Sequence, residues 1–266
     1  MFTSVKYVLT EHKNNWRLIG QMAVLDSKKQ TIRSSIGILW TYFHDLLYMA
    51  VFLLFRYLIS GSGDIMGMNN TVYLVTGMIP WFFMSDVLNQ GSMSIRSNKG
   101  IIQSIRFPVV ILPTISVVSI LIKRILSFVL IFVVTFGFGY MDRFHPILFL
   151  YYMLCMICLA MALNLVLTAL IAISEDFRQL HNAFLRIMIY TMPIIWDFSR
   201  VKAIWSNVLL RINPIVYVVK GFRDAFVLGM TQDLLYSLYF WGVVIGLFMI
   251  GSYLQYKMKR FYADFV

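Results

Sequence analysis

Residues 147–173 and 235–256 contain no charged side chain, and the runs 36–59, 72–95 and 109–138 carry only isolated or paired ones. No other feature limits the fold of this chain as tightly. A helix rises 1.5 Å per residue, so each run is long enough to cross about 30 Å of hydrocarbon. Inside a bilayer the backbone N–H and C=O groups find no water, and only helices or closed barrels satisfy them internally. The expected fold class is all-α, a polytopic membrane protein. Composition agrees: 60% hydrophobic residues, 13% charged and a mean hydropathy of +0.76 lie far outside the soluble range.

A shorter apolar segment, 184–196, follows the charged link SEDFRQLHN at 174–182 and brings the expectation to six transmembrane helices. Residues 1–35 set Trp16, Leu18, Ile19, Met22, Val24 and Leu25 at helical spacing among Lys13, Arg17, Lys28, Lys29 and Arg33, the pattern of an amphipathic helix at the membrane interface. The same stretch is polar and basic and does not read as a secretory signal. Between spans five and six, the runs 208–212 and 215–219 are broken by Asn213 and Pro214 and are too short to cross. They suit short re-entrant helices in the outer leaflet. The expected organisation is an interfacial region at 1–35, a six-span transmembrane domain at 36–256 and a basic tail at 257–266.

Orientation follows from Lys and Arg near the span ends. One side collects Lys6, Lys13, Arg17, Lys28, Lys29, Arg33, Arg96, Lys99, Arg106, Arg178, Arg186, Lys257, Lys259 and Arg260. The other holds only Arg143, Arg200, Lys202, Arg211, Lys220 and Arg223. Both termini are therefore expected in the cytoplasm. The net charge of +11 lies in clusters between apolar runs, where it orients spans and meets anionic lipid, and implies no nucleic-acid partner.

The chain has no G-x-x-x-x-G-K-[ST] phosphate loop, no H-E-x-x-H, no nucleophile elbow and no paired carboxylates, and its four histidines are scattered. No metal site is expected. Cys155 and Cys158 have CxxC spacing, but they lie inside an apolar run without a second pair and read as small packing residues. Gly242 and Gly246 form a lone GxxxG, and Asn69-Asn70-Thr71 a lone glycosylation sequon. Both patterns are common by chance.

Two features stand out. The stretch 77–108 begins apolar and aromatic, GMIPWFFMSDVLNQGSMSI, and ends short and basic, RSNKGIIQSIRFP. Lys123 and Arg124 fall near the middle of span three, where a charge costs several kcal/mol and must face the bundle interior or a polar path. Either they pair with Asp45 or Asp86 on neighbouring spans, or they line a conduit for an anionic substrate.

Five segments, taken in order, resemble the permease subunits of ABC-2 type exporters of cell-surface polysaccharide and teichoic acid: RSSIGILW at 33–40, GMIPWFF with NQGSMSI, RFP followed by ILP, RIMIYTMPIIW, and INPIVYVVKGFRDAF. The aromatic-rich wording is most similar to the teichoic-acid branch, with O-antigen and rhamnose-polysaccharide permeases related. TYFHDLL at 41–47 departs from the pattern, holding His44 and Asp45 where such permeases commonly carry a proline.

The resemblance implies a homodimer in the bacterial plasma membrane, joined on its cytoplasmic face by two copies of a separate ABC ATPase subunit that binds ATP and Mg. This chain would itself hold no cofactor and would not be an enzyme. Arg96, Ser97, Asn98, Lys99, Gly100 and Arg106 would form the ATPase-coupling loop. The substrate path would be lined by Tyr42, Phe43, Trp81, Phe82, Phe83, Lys123, Arg124, Tyr190 and Trp196, since sugar rings stack loosely on aromatic faces. Asn213, Pro214, Lys220 and Arg223 would form the outer gate, with the last two near lipid headgroups. The passenger would be a lipid-linked glycan or teichoic acid, in contact with membrane lipid. Two other functions share these features: an ABC-2 permease for a small lipid or drug, and a multispan enzyme acting on polyprenyl-linked glycans through the SEDFRQLH cluster.

Overall fold

The computed structural model describes residues 1–29, 37, 39–60, 64, 65, 67–104, 107–194, 196, 208, 210–259, 261 and 262. Its named elements are all helical, and the one β-type pairing among the described residues is an isolated bridge between Ile65 and Met68. Three stretches are long and apolar enough to cross a membrane: Asn70–Gln103, Pro146–Ile173 and Leu234–Met258. The bent pair Val109–Lys123 and Ile125–Gly137 qualifies as a fourth when taken together. The protein is thus a multi-pass, all-helical membrane protein.

Helix α4 (Asn70–Asn89) is the centre. Asn69 caps it by accepting from the Thr71 N–H at 2.9 Å, and nearly every side chain from Val72 to Leu88 is buried. A helix apolar on all sides can only sit inside a bundle. Around it stand α3 (Leu39–Ser60), the pair α7 (Leu112–Lys123) and α8 (Ile125–Gly137), and α9 (Pro146–Ile173), with α12 (Leu234–Met258) packed on α9. Helix α10 (Glu175–Thr191) rests chiefly against α9. Helix α11 (Pro214–Arg223) runs into a single π turn, Asp224–Leu228, which stops at Gly229 with φ +62°. This hairpin inserts between α4 and α9.

Contacts fix the two ends of the bundle. At one end α1 (Phe2–Asn14), α2 (Trp16–Lys29), the short helices α5 (Ser94–Ser97) and α6 (Lys99–Ser104), and the chain end pack together. Val8, Ile19, Ala23, Ile95, Ile102 and Tyr262 belong to a compact apolar cluster separate from the main core. The opposite end holds the α11 hairpin, where the His145 N–H donates to the Ala225 carbonyl at 2.8 Å.

Several expectations change. The amphipathic region is two helices, broken at Asn15, whose side chain turns back to the Glu11 carbonyl at 2.8 Å. In the basic tail, the Tyr262 hydroxyl donates to Gln255 Oε1 of α12 at 2.9 Å in a buried site. The charged link at 174–182 is no loop: Ser174 caps α10, and Glu175 opens its first turn. The helix then stops at Thr191 rather than reaching Trp196, because Met192 precedes Pro193 and takes an extended conformation. Finally, the long third run bends by 42° at Arg124. Its first half lies along α2, and Lys123 and Arg124 sit at the joint and not in a uniform apolar rod.

Candidate functional site

The expected site residues fall into three groups along the bundle. At the terminal end, residues 91–104 form a chain of tight turns and helices instead of an open loop. The Ser97 hydroxyl donates to the Met93 carbonyl at 3.0 Å, and Asn98 Nδ2 to the Ser94 carbonyl at 2.8 Å. Ile95 and Ile102 anchor the segment in the second apolar cluster, leaving Ser97, Lys99 and Gly100 exposed at the surface. Arg106 lies outside the described residues. Arg96 donates to Glu175, which also accepts from Arg178. Sequence spacing could not reveal this tie, because the partners are far apart in the chain and on different helices.

Helix α1 meets the start of the α7–α8 pair through His12. Its Nδ1 lies 2.7 Å from the Val8 carbonyl, and its Nε2 lies 2.7 Å from Thr114 Oγ1. Burial holds the His12 pKa below its ordinary 6.5, so the neutral ring is the form that fits between the helices.

In the middle group, Arg124 is 4% exposed and joins three elements. Its guanidinium pairs with Asp45 of α3, and Nε donates to Asp86 Oδ2 of α4 at 2.8 Å. The same group stands 5.7 Å over the Phe82 ring. Of the two roles open to it, ion pairing is the one the structure displays. Lys123 is buried beside it, within electrostatic reach of Asp26 and Asp86, and its backbone carbonyl accepts from the Tyr42 hydroxyl.

The expected aromatic path is only partly assembled. Trp81 and Phe83 are buried core side chains, with Phe83 packed on Phe128 at 6.2 Å between centroids. Phe43 is exposed and stacked on Trp40, away from them. Tyr190 is exposed, and its carbonyl accepts from Trp196 Nε1 at 3.2 Å. A cavity of about 640 Å³ lies between α3 and α10, lined by His44, Tyr48, Phe52, Phe55 and Tyr190 among others. Of the residues expected on the path, Tyr190 alone lines it. The others carried a readable signal, since 44, 48, 52 and 55 recur at helical spacing and mark one stripe of α3. A second cavity, about 260 Å³, opens between α3 and α8 beside Tyr42, Asp45 and Ser127.

At the hairpin end, Asn213 caps α11 by accepting from the Ile215 N–H at 3.0 Å, with Pro214 in the first turn. Lys220 is half-buried. Arg223, which the resemblance set near the lipid headgroups, is buried in the protein at 4% exposure. Its Nη1 donates to the Pro193 carbonyl at 2.6 Å and Nη2 to the Ile194 carbonyl at 3.2 Å, and the guanidinium lies 3.6 Å over the Tyr73 ring. The Tyr73 hydroxyl donates to the Trp196 carbonyl at 2.8 Å. The carbonyls past the last turn of α10 carry partial negative charge, so a cation placed there is stabilised twice, by hydrogen bonds and by the helix dipole. Gly77 makes room for it: a Cβ there would stand 2.5 Å from Nη2.

The side chains of the SEDFRQLH cluster are engaged elsewhere. Glu175 is bracketed by two arginines, and His181 Nε2 contacts the Leu88 carbonyl at 2.7 Å. Among the described residues no group of three His, Cys, Asp or Glu could hold a metal ion.

The profile of the ABC-2 type transporter family matches residues 22–227. The O-antigen export system permease protein RfbA of Myxococcus xanthus is 24% identical over 194 residues, covering 73% of this chain and 74% of its own. A protein of the same name from Klebsiella pneumoniae is 23% identical over 259 residues, covering 93% of this chain and 95% of its own.

Proposed function

Because this chain belongs to the ABC-2 type transporter family, we propose that it is the membrane permease of an ATP-driven exporter that moves a lipid-linked cell-surface polysaccharide out of a bacterial cell. The observation that carries this reading is the match to O-antigen export permeases over 93% of the chain. In this reading α3, α4, the α7–α8 pair, α9, α10 and α12 are the six spans, and the α11 hairpin is re-entrant. Both termini face the cytoplasm, where Lys and Arg concentrate.

Two ATPase subunits dock beneath a homodimer and press on residues 96–106. That surface is built to take a push. Exposed Lys99 and Gly100 ride on a segment whose Ile95 and Ile102 are locked into the apolar cluster, so the force is not absorbed locally. Asn213, Pro214, Lys220 and Arg223 close the outer side. Lys123 and the exposed aromatic side chains of α3 and α10 face the passenger. Teichoic acid remains within the same substrate class, a long polar polymer on a lipid.

Depletion of the protein is expected to remove surface polysaccharide and to accumulate its lipid-linked precursor inside the cell. Normal surface polymer after depletion would sink the proposal. Accumulation of a polyol-phosphate polymer instead would identify teichoic acid as the passenger. Replacing Lys123 by Gln tests the path: export should fall while membrane level and ATPase association hold. Loss of the protein from the membrane would assign Lys123 to structure.

A further inference from the structure

Helix α10 is tied at both ends and thinly packed between them. At its first turn Glu175 accepts from Arg96, within the segment that receives the ATPase, and nearly two turns on His181 reaches the Leu88 carbonyl at the end of α4. Just past its last turn, the Pro193 and Ile194 carbonyls accept from Arg223 of the outer hairpin, and the Tyr73 hydroxyl lies 3.3 Å from the Pro193 carbonyl. Between these ties Leu180, Phe184, Ile187 and Tyr190 are exposed, and Leu185 is its one buried side chain.

These features decide which element can carry displacement from one end of the bundle to the other. Helix α4 also spans the two ends, but it is buried on all sides and cannot shift without repacking the core, and close-packed interiors resist that. Helix α10 holds its own backbone hydrogen bonds, keeps its length of about 26 Å when moved, and has little packing to break.

We propose that α10 is the transmission rod between the coupling segment and the outer hairpin, with Glu175 and Arg223 as the positioning residues at its two ends. The proposal rests on the permease reading above and adds to it the route the stroke takes. It makes the outer hairpin follow the coupling segment directly. It also places Tyr190, on the cavity wall, on the moving part.

The test uses the full permease co-expressed with its ATPase, in lipid nanodiscs, with spin labels on two cysteine pairs. Lys99→Cys with Tyr253→Cys reports the coupling end, and Met230→Cys, just past the π turn, with Ile147→Cys at the start of α9 reports the hairpin end; all four positions are exposed. Distances are compared with ADP and with ATP plus vanadate. With the ties intact, both pairs shift. Glu175→Arg cuts an exposed ion pair that adds little stability, so the fold should survive. In it the coupling pair should still shift while the hairpin pair stays fixed, and Arg96→Glu in the same chain should restore the hairpin shift. Arg223→Lys, which keeps the charge and loses the fork, should shrink the hairpin shift from the other end. A hairpin shift of native size in Glu175→Arg overturns the proposal. So does a coupling pair that moves in the charge-exchanged chain without the hairpin pair following. A coupling pair that never responds to nucleotide, with the ties intact, overturns the permease reading itself.

Discussion

Arg124 shows at the scale of one residue what a low-dielectric bundle demands. Two carboxylates from different helices converge on its guanidinium, so removing the cation leaves Asp45 and Asp86 facing each other without compensation. Breaking a buried pair from one side costs about 3–5 kcal/mol. Arg124→Met should therefore lower the thermal midpoint in detergent far more than Asp45→Asn, which removes one of the two opposing carboxylate charges. Equal effects would refute the pairing. Arg223 and Gly77 make a second residue-scale case. Gly77→Ala places a methyl against the guanidinium, and overpacking of this kind costs about 1–3 kcal/mol. The losses from Gly77→Ala and Arg223→Ala should be strongly non-additive, since the second removes what the first collides with. Additive losses in a double-mutant cycle would count against the contact. That Asp45 or Asp86 partners a cation in span three was legible in the sequence, because a buried charge needs an opposite. The partner of Arg223 was not: backbone carbonyls beyond α10 leave no mark in side-chain identity.

At the scale of elements, long apolar runs announced themselves, and α4, α9 and α12 lie where hydropathy puts them. What escaped was punctuation. Asn15 splits the first amphipathic stretch, and Ser174 with Glu175 and Asp176 opens a helix where a polar link was expected, although a Ser cap followed by acidic residues is a readable start signal. The burial of Trp81 and Phe83 was illegible for another reason: an aromatic side chain looks the same in a sequence whether it lines a path or fills a core. The docking of α1 on α7 carries a pH dependence with a definite sign. The folded state depresses the His12 pKa, so between that value and the ordinary 6.5 the undocked chain binds more protons. The associated stability is complete above the ordinary pKa and is lost as pH falls through the window. The protection factors of the α1 amides, with the intrinsic pH dependence of exchange divided out, should fall on moving from about pH 8 to about pH 5. His12→Asn should flatten the difference, and an unchanged profile in that variant would show that another group is responsible.

For the whole molecule, two apolar clusters divide the labour. The larger fills the bundle; the smaller fastens α1, α2, the short helices α5 and α6 and Tyr262 into one platform. The topology proposed for them is open to a direct check. In intact cells, Met230→Cys should react with a membrane-impermeant maleimide and Lys99→Cys should not, whereas in inverted vesicles the pattern should reverse; reaction of Lys99→Cys from outside would invert the orientation. The smaller cluster also imposes an order on biogenesis. Val8 and Ile19 leave the ribosome first, yet their neighbours Ile95, Ile111, Ala172 and Tyr262 are made progressively later, the last only after every span has been synthesised. Until Ile95 and Ile111 emerge, α1 and α2 expose apolar faces with nothing native to cover them, and the cover is completed only when Tyr262 joins it. A chain that has not reached Tyr262 therefore keeps part of that apolar surface open.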